Sequence, residues 1–161
     1  MTFTNKAAAE MRGRVAALVG KKRAEDLTVG TFHAFCLRAL RAHKEALGYP
    51  QGFTLADQSD QLSLLKSALR ELHIPEASLR PYELSGRISL AKNRLDTPEA
   101  WLARGGDSTH ELVGRAWGKY QELLRRSRRM DFDDLLLECL RLLDQHADIR
   151  AQFQELSLIH I

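Results

Sequence analysis

Apolar residues recur every three or four positions along almost the whole chain, in segments punctuated by helix-starting and helix-stopping residues. That spacing lines one face of a 3.6-residue helix, not one face of a strand. The chain is therefore predicted to be predominantly α. The first stripe is Ala8, Met11, Val15, Leu18 and Val19, with Asn5 as its expected N-cap and Gly20 as its stop. Thr31 is expected to cap a second helix with Phe32, Phe35, Cys36, Ala39, Leu40 and Leu47 inward, closed by Gly48 and Pro50. Asp57 opens a third helix carrying Leu62, Leu65, Leu69 and Leu72, which Pro75 ends. Pro81 suits the first turn of a fourth, with Leu84, Ile88 and Ala91 inward.

Thr97-Pro98-Glu99 reads as cap and first turn of a short helix with Trp101 and Leu102, broken by Gly105-Gly106. A long helix is expected from about Ser108 to Arg129, with Leu112, Ala116, Tyr120 and Leu123 or Leu124 as its stripe. Asp131, with Asp134 three residues on, resembles a capping box for a last helix striped by Leu135, Leu136, Leu140 and Leu143. Only two stretches look extended: Leu27-Thr28-Val29-Gly30, and the end of the chain from Leu156 to Ile161. The latter reads as a buried strand, which needs partners that this chain scarcely supplies.

The 161 residues are 44% hydrophobic and 28% charged, which excludes a collagen, a disulfide scaffold and a wholly disordered chain. No window approaches the roughly 18 apolar residues of a membrane span, and Met1-Thr2-Phe3-Thr4-Asn5-Lys6 lacks the apolar core of a secretory signal. A soluble, cytoplasmic chain without a membrane partner is expected. Cys36 and Cys139 stand alone in sequence and are expected as reduced thiols. The six histidines never pair at helical ligand spacing, so no metal site is expected.

Charge is informative by position. Residues 1–45 hold nine Lys/Arg against four Asp/Glu, and residues 119–130 hold five against one. Residues 131–161 reverse this, with two against seven. The overall charge of +3 thus conceals two basic blocks and an acidic tail. Basic blocks attract phosphate chains by counterion release, although a solvated helix face carries the same composition.

Two helix starts share one design. Thr2-Phe3-Thr4-Asn5-Lys6 and Thr31-Phe32-His33 each combine a hydroxyl, an aromatic and a polar or cationic group where backbone N–H groups favour phosphate. An exposed Phe offers a face for a base, while a core Phe behind an ordinary cap is the plainer alternative. His33 is either a phosphate donor or a satisfied core histidine; with Cys36 on the same helix face it also raises a nucleophile pair, for which no base-orienting group or oxyanion site is visible. The Arg125-Arg126-Ser127-Arg128-Arg129 run suits a solvated helix end. Capping accounts for Asp131 and Asp134 better than metal binding does. No GxxxxGK[ST] phosphate loop occurs in these residues.

Taken together, Thr2 to Met11 followed by Val29-Gly30-Thr31-Phe32-His33 resemble the Ia and Ib motifs of superfamily 1 helicases of the UvrD/Rep/PcrA type. The likeness continues in order through Asp57 to Leu62, Ile88 to Asn93 and Met130 to Leu136, and covers nearly the whole chain. Met130, where Leu or Val is usual, is a conservative departure. The resemblance implies a parent with an α/β RecA-like P-loop NTPase domain and an inserted helical domain. Residues 1-49 would belong to the motor domain, 50-118 to the insertion, and 119-161 to the return into the motor domain.

The resemblance further implies an ATP-dependent 3′ to 5′ DNA helicase using ATP and Mg²⁺, with single-stranded DNA and single-strand/duplex junctions as partners. Thr2, Phe3, Asn5, Lys6, Thr31, Phe32 and His33 would meet the single strand, and Lys92 and Asn93 the duplex side. The family's Walker A loop would precede Thr2 and its Walker B acids would follow the last residues, so this chain alone is expected neither to bind the cofactors nor to hydrolyse ATP. The alternatives are a stand-alone DNA-binding or regulatory module derived from the motor, part of a helicase–nuclease subunit, and a helical protein-interaction domain.

Overall fold

Thr4, and not Asn5, caps the first helix: its Oγ1 accepts the Ala7 N–H at 3.2 Å, leaving Asn5 as the first helical residue. The computed structural model describes residues 1–155, so the strand expected from Leu156 to Ile161 lies outside the described residues. The chain divides into two units, one of Met1–Gly48 with the chain from Glu138 onward, the other Tyr49–Leu137.

The first unit contains α1 (Asn5–Val19), α2 (Lys21–Glu25), α3 (Phe32–Ala42), the later part of α8 (Phe132–Gln145) and α9 (Ala147–Gln154). Neither α2 nor α9 is announced by a stripe long enough to read. Of the α1 stripe only Ala8 is buried, and Leu18 and Val19 are exposed. α3 ends at Ala42, short of the expected Leu47, and the chain turns through Gly48 at φ 76°. Phe35 on α3 meets Phe153 on α9 edge to face at 5.5 Å.

The stretch Leu27 to Gly30 is not a strand. The parallel bridge forms one position later, between Thr2 and Thr31, and the Thr2 N–H donates to the Gly30 carbonyl at 3.0 Å. Arg12 on α1 also reaches back, donating to the Val29 carbonyl at 2.7 Å. The Val29 and Gly30 carbonyls are thus satisfied by α1 and Thr2 without a strand at residues 27–30.

The second unit is a helical bundle. α7 (Ser108–Arg126) packs against α4 (Gln58–Glu71), α5 (Pro81–Lys92) and α6 (Pro98–Ala103). The expected caps form: Asp57 accepts the Asp60 N–H at 2.8 Å, Thr97 accepts that of Ala100 at 3.1 Å, and Pro81 sits in the first turn of α5. Leu65, Leu69, Leu84, Ile88, Trp117, Tyr120 and Leu124 form the core. Each large apolar side chain buried there contributes about 1.5–3 kcal/mol. Gly114 lets α6 close onto α7, since a Cβ there would stand 2.4 Å from Leu102 Cδ2.

α7 stops three residues before the expected Arg129. Arg128 takes a left-handed φ of 53°, and Arg129–Met130 becomes β2, paired in parallel with β1 (Thr54–Leu55). Thr54 lies opposite Arg129 and Leu55 opposite Met130. Periodicity could not announce so short a pair, whose partners are some 75 positions apart in sequence. On α8 the buried apolar positions are Leu135, Cys139 and Leu142, beside the buried Asp134; Leu140, expected inward, is exposed. The second unit runs on to Leu137, within α8.

Candidate nucleic-acid interface

In the first unit the Thr2–Thr31 bridge sets the starts of α1 and α3 side by side. Thr4 caps α1, and Thr31 caps α3 by accepting the Ala34 N–H at 3.2 Å. Thr2 Oγ1 donates to the Thr4 carbonyl at 3.1 Å. Each aromatic follows its bridging threonine by one position, so the two rings emerge together. Phe3 and Phe32 have centroids 5.8 Å apart and planes inclined at 50°. Phe3 is 77% exposed and Phe32 36%.

The expected single-strand set therefore divides. Phe3, Asn5, Lys6 and Phe32 lie at the surface and His33 is half-buried. Thr2 and Thr31 are buried at 3% and 7%, their hydroxyls engaged in the turn and the cap. They build the platform; the aromatics and the first turn of α1 present it.

The expected duplex-side pair also separates. Asn93 is exposed at the end of α5, but Lys92 is a correction, because its side chain is 1% exposed and is enclosed in the second unit. Its Nζ donates to Asp131 Oδ2 at 2.6 Å and to Asp134 Oδ1 at 2.7 Å. An ammonium so enclosed does not reach a phosphate. Tyr120 donates to Asp131 Oδ2 at 3.0 Å, and Gln121 to Asp134 Oδ1 at 3.2 Å. The other oxygens close the capping box: Asp131 Oδ1 accepts the Asp134 N–H at 2.9 Å, and Asp134 Oδ2 the Asp131 N–H at 3.3 Å.

The electrostatics follow from burial and pairing. Burial opposes the charge on Lys92, yet Asp134 and Asp131 outweigh it and hold its pKa above the ordinary lysine value. Burial pushes the Asp134 carboxyl up to about 6 against the pull of Lys92. Burial and the neighbouring Asp131 likewise push the Tyr120 phenol up. All four carboxylate oxygens of Asp131 and Asp134 are engaged by protein donors, so the pair does not fit a metal ion. Among the described residues no other group of three acidic, histidine or cysteine side chains could hold one.

The arginine run is similarly divided. Arg125 and Arg126 are exposed, Arg128 donates to Gln51 Oε1, and Arg129 pairs with Asp60 at 2.6 Å. Sequence reasoning missed Tyr120 and Gln121 as partners of the acids, and no local signal could have found them. No helix among the described residues is long and apolar enough to cross a membrane.

In the first unit the Ia- and Ib-like segments supply two aromatic helix starts held by the Thr2–Thr31 bridge. Residues 1–160 match the UvrD/REP helicase N-terminal domain, and the chain belongs to that family. It is 38% identical over 155 residues to ATP-dependent DNA helicase PcrA of Leuconostoc citreum, covering 96% of this chain and 21% of that protein. It is 35% identical over 162 aligned positions to ATP-dependent DNA helicase PcrA of Bacillus subtilis (strain 168), covering 100% of this chain and 22% of that protein. The chain spans about a fifth of the length of these relatives.

Proposed function

We propose that the chain serves as part of an ATP-dependent DNA helicase motor and that its share of the work is to hold single-stranded DNA on the Phe3–Phe32 platform. The observation that carries this reading is the exposure of two aromatic rings 5.8 Å apart at the starts of two adjacent helices. A base stacks on each exposed ring, with about 1–3 kcal/mol per base as the usual scale. The 50° inclination turns the two bases relative to one another, so the strand bends as it crosses from Phe3 to Phe32. Asn5 and Lys6, in the first turn of α1, lie where the positive end of the helix favours a phosphate, and His33 does the same for α3. Asn93 remains the duplex-side contact, and Lys92 acts from inside by tying α5 to the start of α8.

In this reading the whole helicase uses ATP and Mg²⁺ to move 3′ to 5′ along the strand and acts at single-strand/duplex junctions in the cytoplasm. Asp131 and Asp134 are engaged by Lys92 and by each other's backbone N–H groups, so this pair is not offered to Mg²⁺. The strand-holding role is tested by fluorescence anisotropy of a labelled oligothymidine against this chain over a series of salt concentrations. The expected result is binding that weakens linearly in log–log form, with a slope of about −0.7 per phosphate neutralised. Absence of binding at low salt by a folded sample would overturn the reading and favour a helical protein-interaction domain.

A further inference from the structure

Packing holds α1 weakly, since of its 15 residues only Ala8 is buried. Its direction therefore depends on polar attachments, and two of them land on adjacent carbonyls. The Thr2 N–H, just ahead of the helix, donates to the Gly30 carbonyl at 3.0 Å, beside the isolated Thr2–Thr31 bridge. Arg12 Nη2 donates to the Val29 carbonyl at 2.7 Å, from a position about 12 Å along the helix from the Thr4 cap. Arg14, two positions on, is turned instead to Glu10 on its own helix.

A single bridge acts as a hinge. Fastened only at Thr2, α1 swings about that point and carries Phe3 with it; a second attachment farther along the helix removes the swing. Phe3 lies between the bridging Thr2 and the capping Thr4, and Phe32 directly follows Thr31. The 5.8 Å separation and 50° inclination of the rings therefore depend on the angle between α1 and the start of α3. We infer that Arg12 is a positioning residue for the aromatic platform: through the Val29 carbonyl it fixes the angle at which Phe3 faces Phe32, and its guanidinium does not itself touch the strand. The functional consequence rests on the DNA-binding reading; the effect on ring geometry does not.

The side-chain chemistry suits that task. A guanidinium is planar and permanently charged, and its charge-assisted N–H groups hold a carbonyl from an exposed position where a neutral donor competes poorly with water. Arg12 is thus one of the nine Lys/Arg in residues 1–45 whose charge is directed at the backbone of its own chain and not at phosphate.

The test measures binding of a labelled oligothymidine to the wild type, Arg12→Met and Arg12→Lys over a series of salt concentrations, each also in a Phe3→Ala background. NMR cross-peaks between the Phe3 and Phe32 rings are recorded on the same chains without DNA. Arg12→Met should weaken binding about 3–10-fold, the scale of one lost hydrogen bond, with the salt slope unchanged. In the Phe3→Ala background the same substitution should cost nothing further, because no ring pair is left to align; a merely stabilising residue would give equal losses in both. Arg12→Lys, which keeps a donor, should recover part of the loss, and the ring cross-peaks should weaken in Arg12→Met. A salt slope shallower by about 0.7 would show that Arg12 neutralises a phosphate and would overturn the proposal. Equal losses in the two backgrounds, or unchanged ring cross-peaks, would also overturn it. Wild-type cross-peaks from the Arg12 guanidinium protons to Val29 are required, and their absence overturns the proposal whether or not the variants fold. Should the wild type not bind oligothymidine, the strand-holding reading falls alone, and the ring cross-peaks still decide the role of Arg12.

Discussion

Lys92 Nζ lies 2.6 Å from Asp131 Oδ2, joining residues 39 positions apart inside the second unit. The contact converts two short motifs into one device. The end of α5 supplies the ammonium, the start of α8 supplies two carboxylates, and Tyr120 and Gln121 on α7 complete the hydrogen bonding. Because the same carboxylates close the capping box of α8, the bond that seats α5 also orients the first turn of α8. Removing one partner of such a pair is costly because it strands the others without a counter-charge.

Lys92→Met should therefore destabilise the second unit by about 3–5 kcal/mol, which urea unfolding followed by circular dichroism would read as a lowered midpoint. A loss below about 1 kcal/mol would mean that the acids find another donor and that Lys92 is not the tie described.

Asp134 carries a pH signature. Its folded carboxyl is pushed up to about 6 by burial, against an ordinary value of 3.8. Between those values the folded chain holds a proton that the unfolded chain has released. The stability this group contributes is thus fully present below about pH 4 and is lost as the pH rises through 6. Asp134→Asn removes the titration, so the free-energy difference between wild type and variant should shift against the wild type from pH 4 to 7, whatever its constant offset. A difference that stays flat across that range, in urea titrations at each pH, would show that Asp134 is not the titrating group.

Two helical glycines should respond in opposite senses. A Cβ at Gly86 on α5 meets nothing within 4 Å, so Gly86→Ala should stabilise by about 0.5–1 kcal/mol through the unfolded chain's lost freedom. A Cβ at Gly114 would stand 2.4 Å from Leu102 Cδ2 and 2.9 Å from Trp101 Cδ1, so Gly114→Ala should cost about 1–3 kcal/mol. Thermal melts of the two variants settle the matter, and equal effects would show that α6 moves aside freely.

Phe3→Ala should weaken single-strand binding by about 1–3 kcal/mol, and Phe32→Ala by less, given its smaller exposure. Because the rings touch, the double variant should depart from additivity. Affinities equal to wild type in folded single variants would remove the platform from the DNA-binding reading.

The helical architecture was legible wherever a cap and a stripe agreed. Asp57 before Leu65 and Leu69, Pro81 before Leu84, Ile88 and Ala91, and Asp131 with Asp134 all behave as local rules require, because capping and amphipathicity act within one or two turns. Reading failed where the deciding partner was distant. Leu27 to Gly30 looked extended, but the bridge needed Thr2. The α8 stripe was mistaken in phase, because a leucine-rich helix offers several apolar faces and only packing selects Leu135, Cys139 and Leu142. Of the candidate interface, Phe3 and Phe32 were legible as residues but not as a pair.

The amino-acid sequence by itself determined the helical class, most helix starts and the family, all of which rest on short-range spacing or on motif order. Tertiary structure alone decided that Lys92 faces inward and that two aromatic helix starts share one surface. Each of those outcomes depends on which distant group removes a side chain from water. The cost of burying an ammonium is set by carboxylates 39 and 42 positions away, a distance over which local periodicity carries no information.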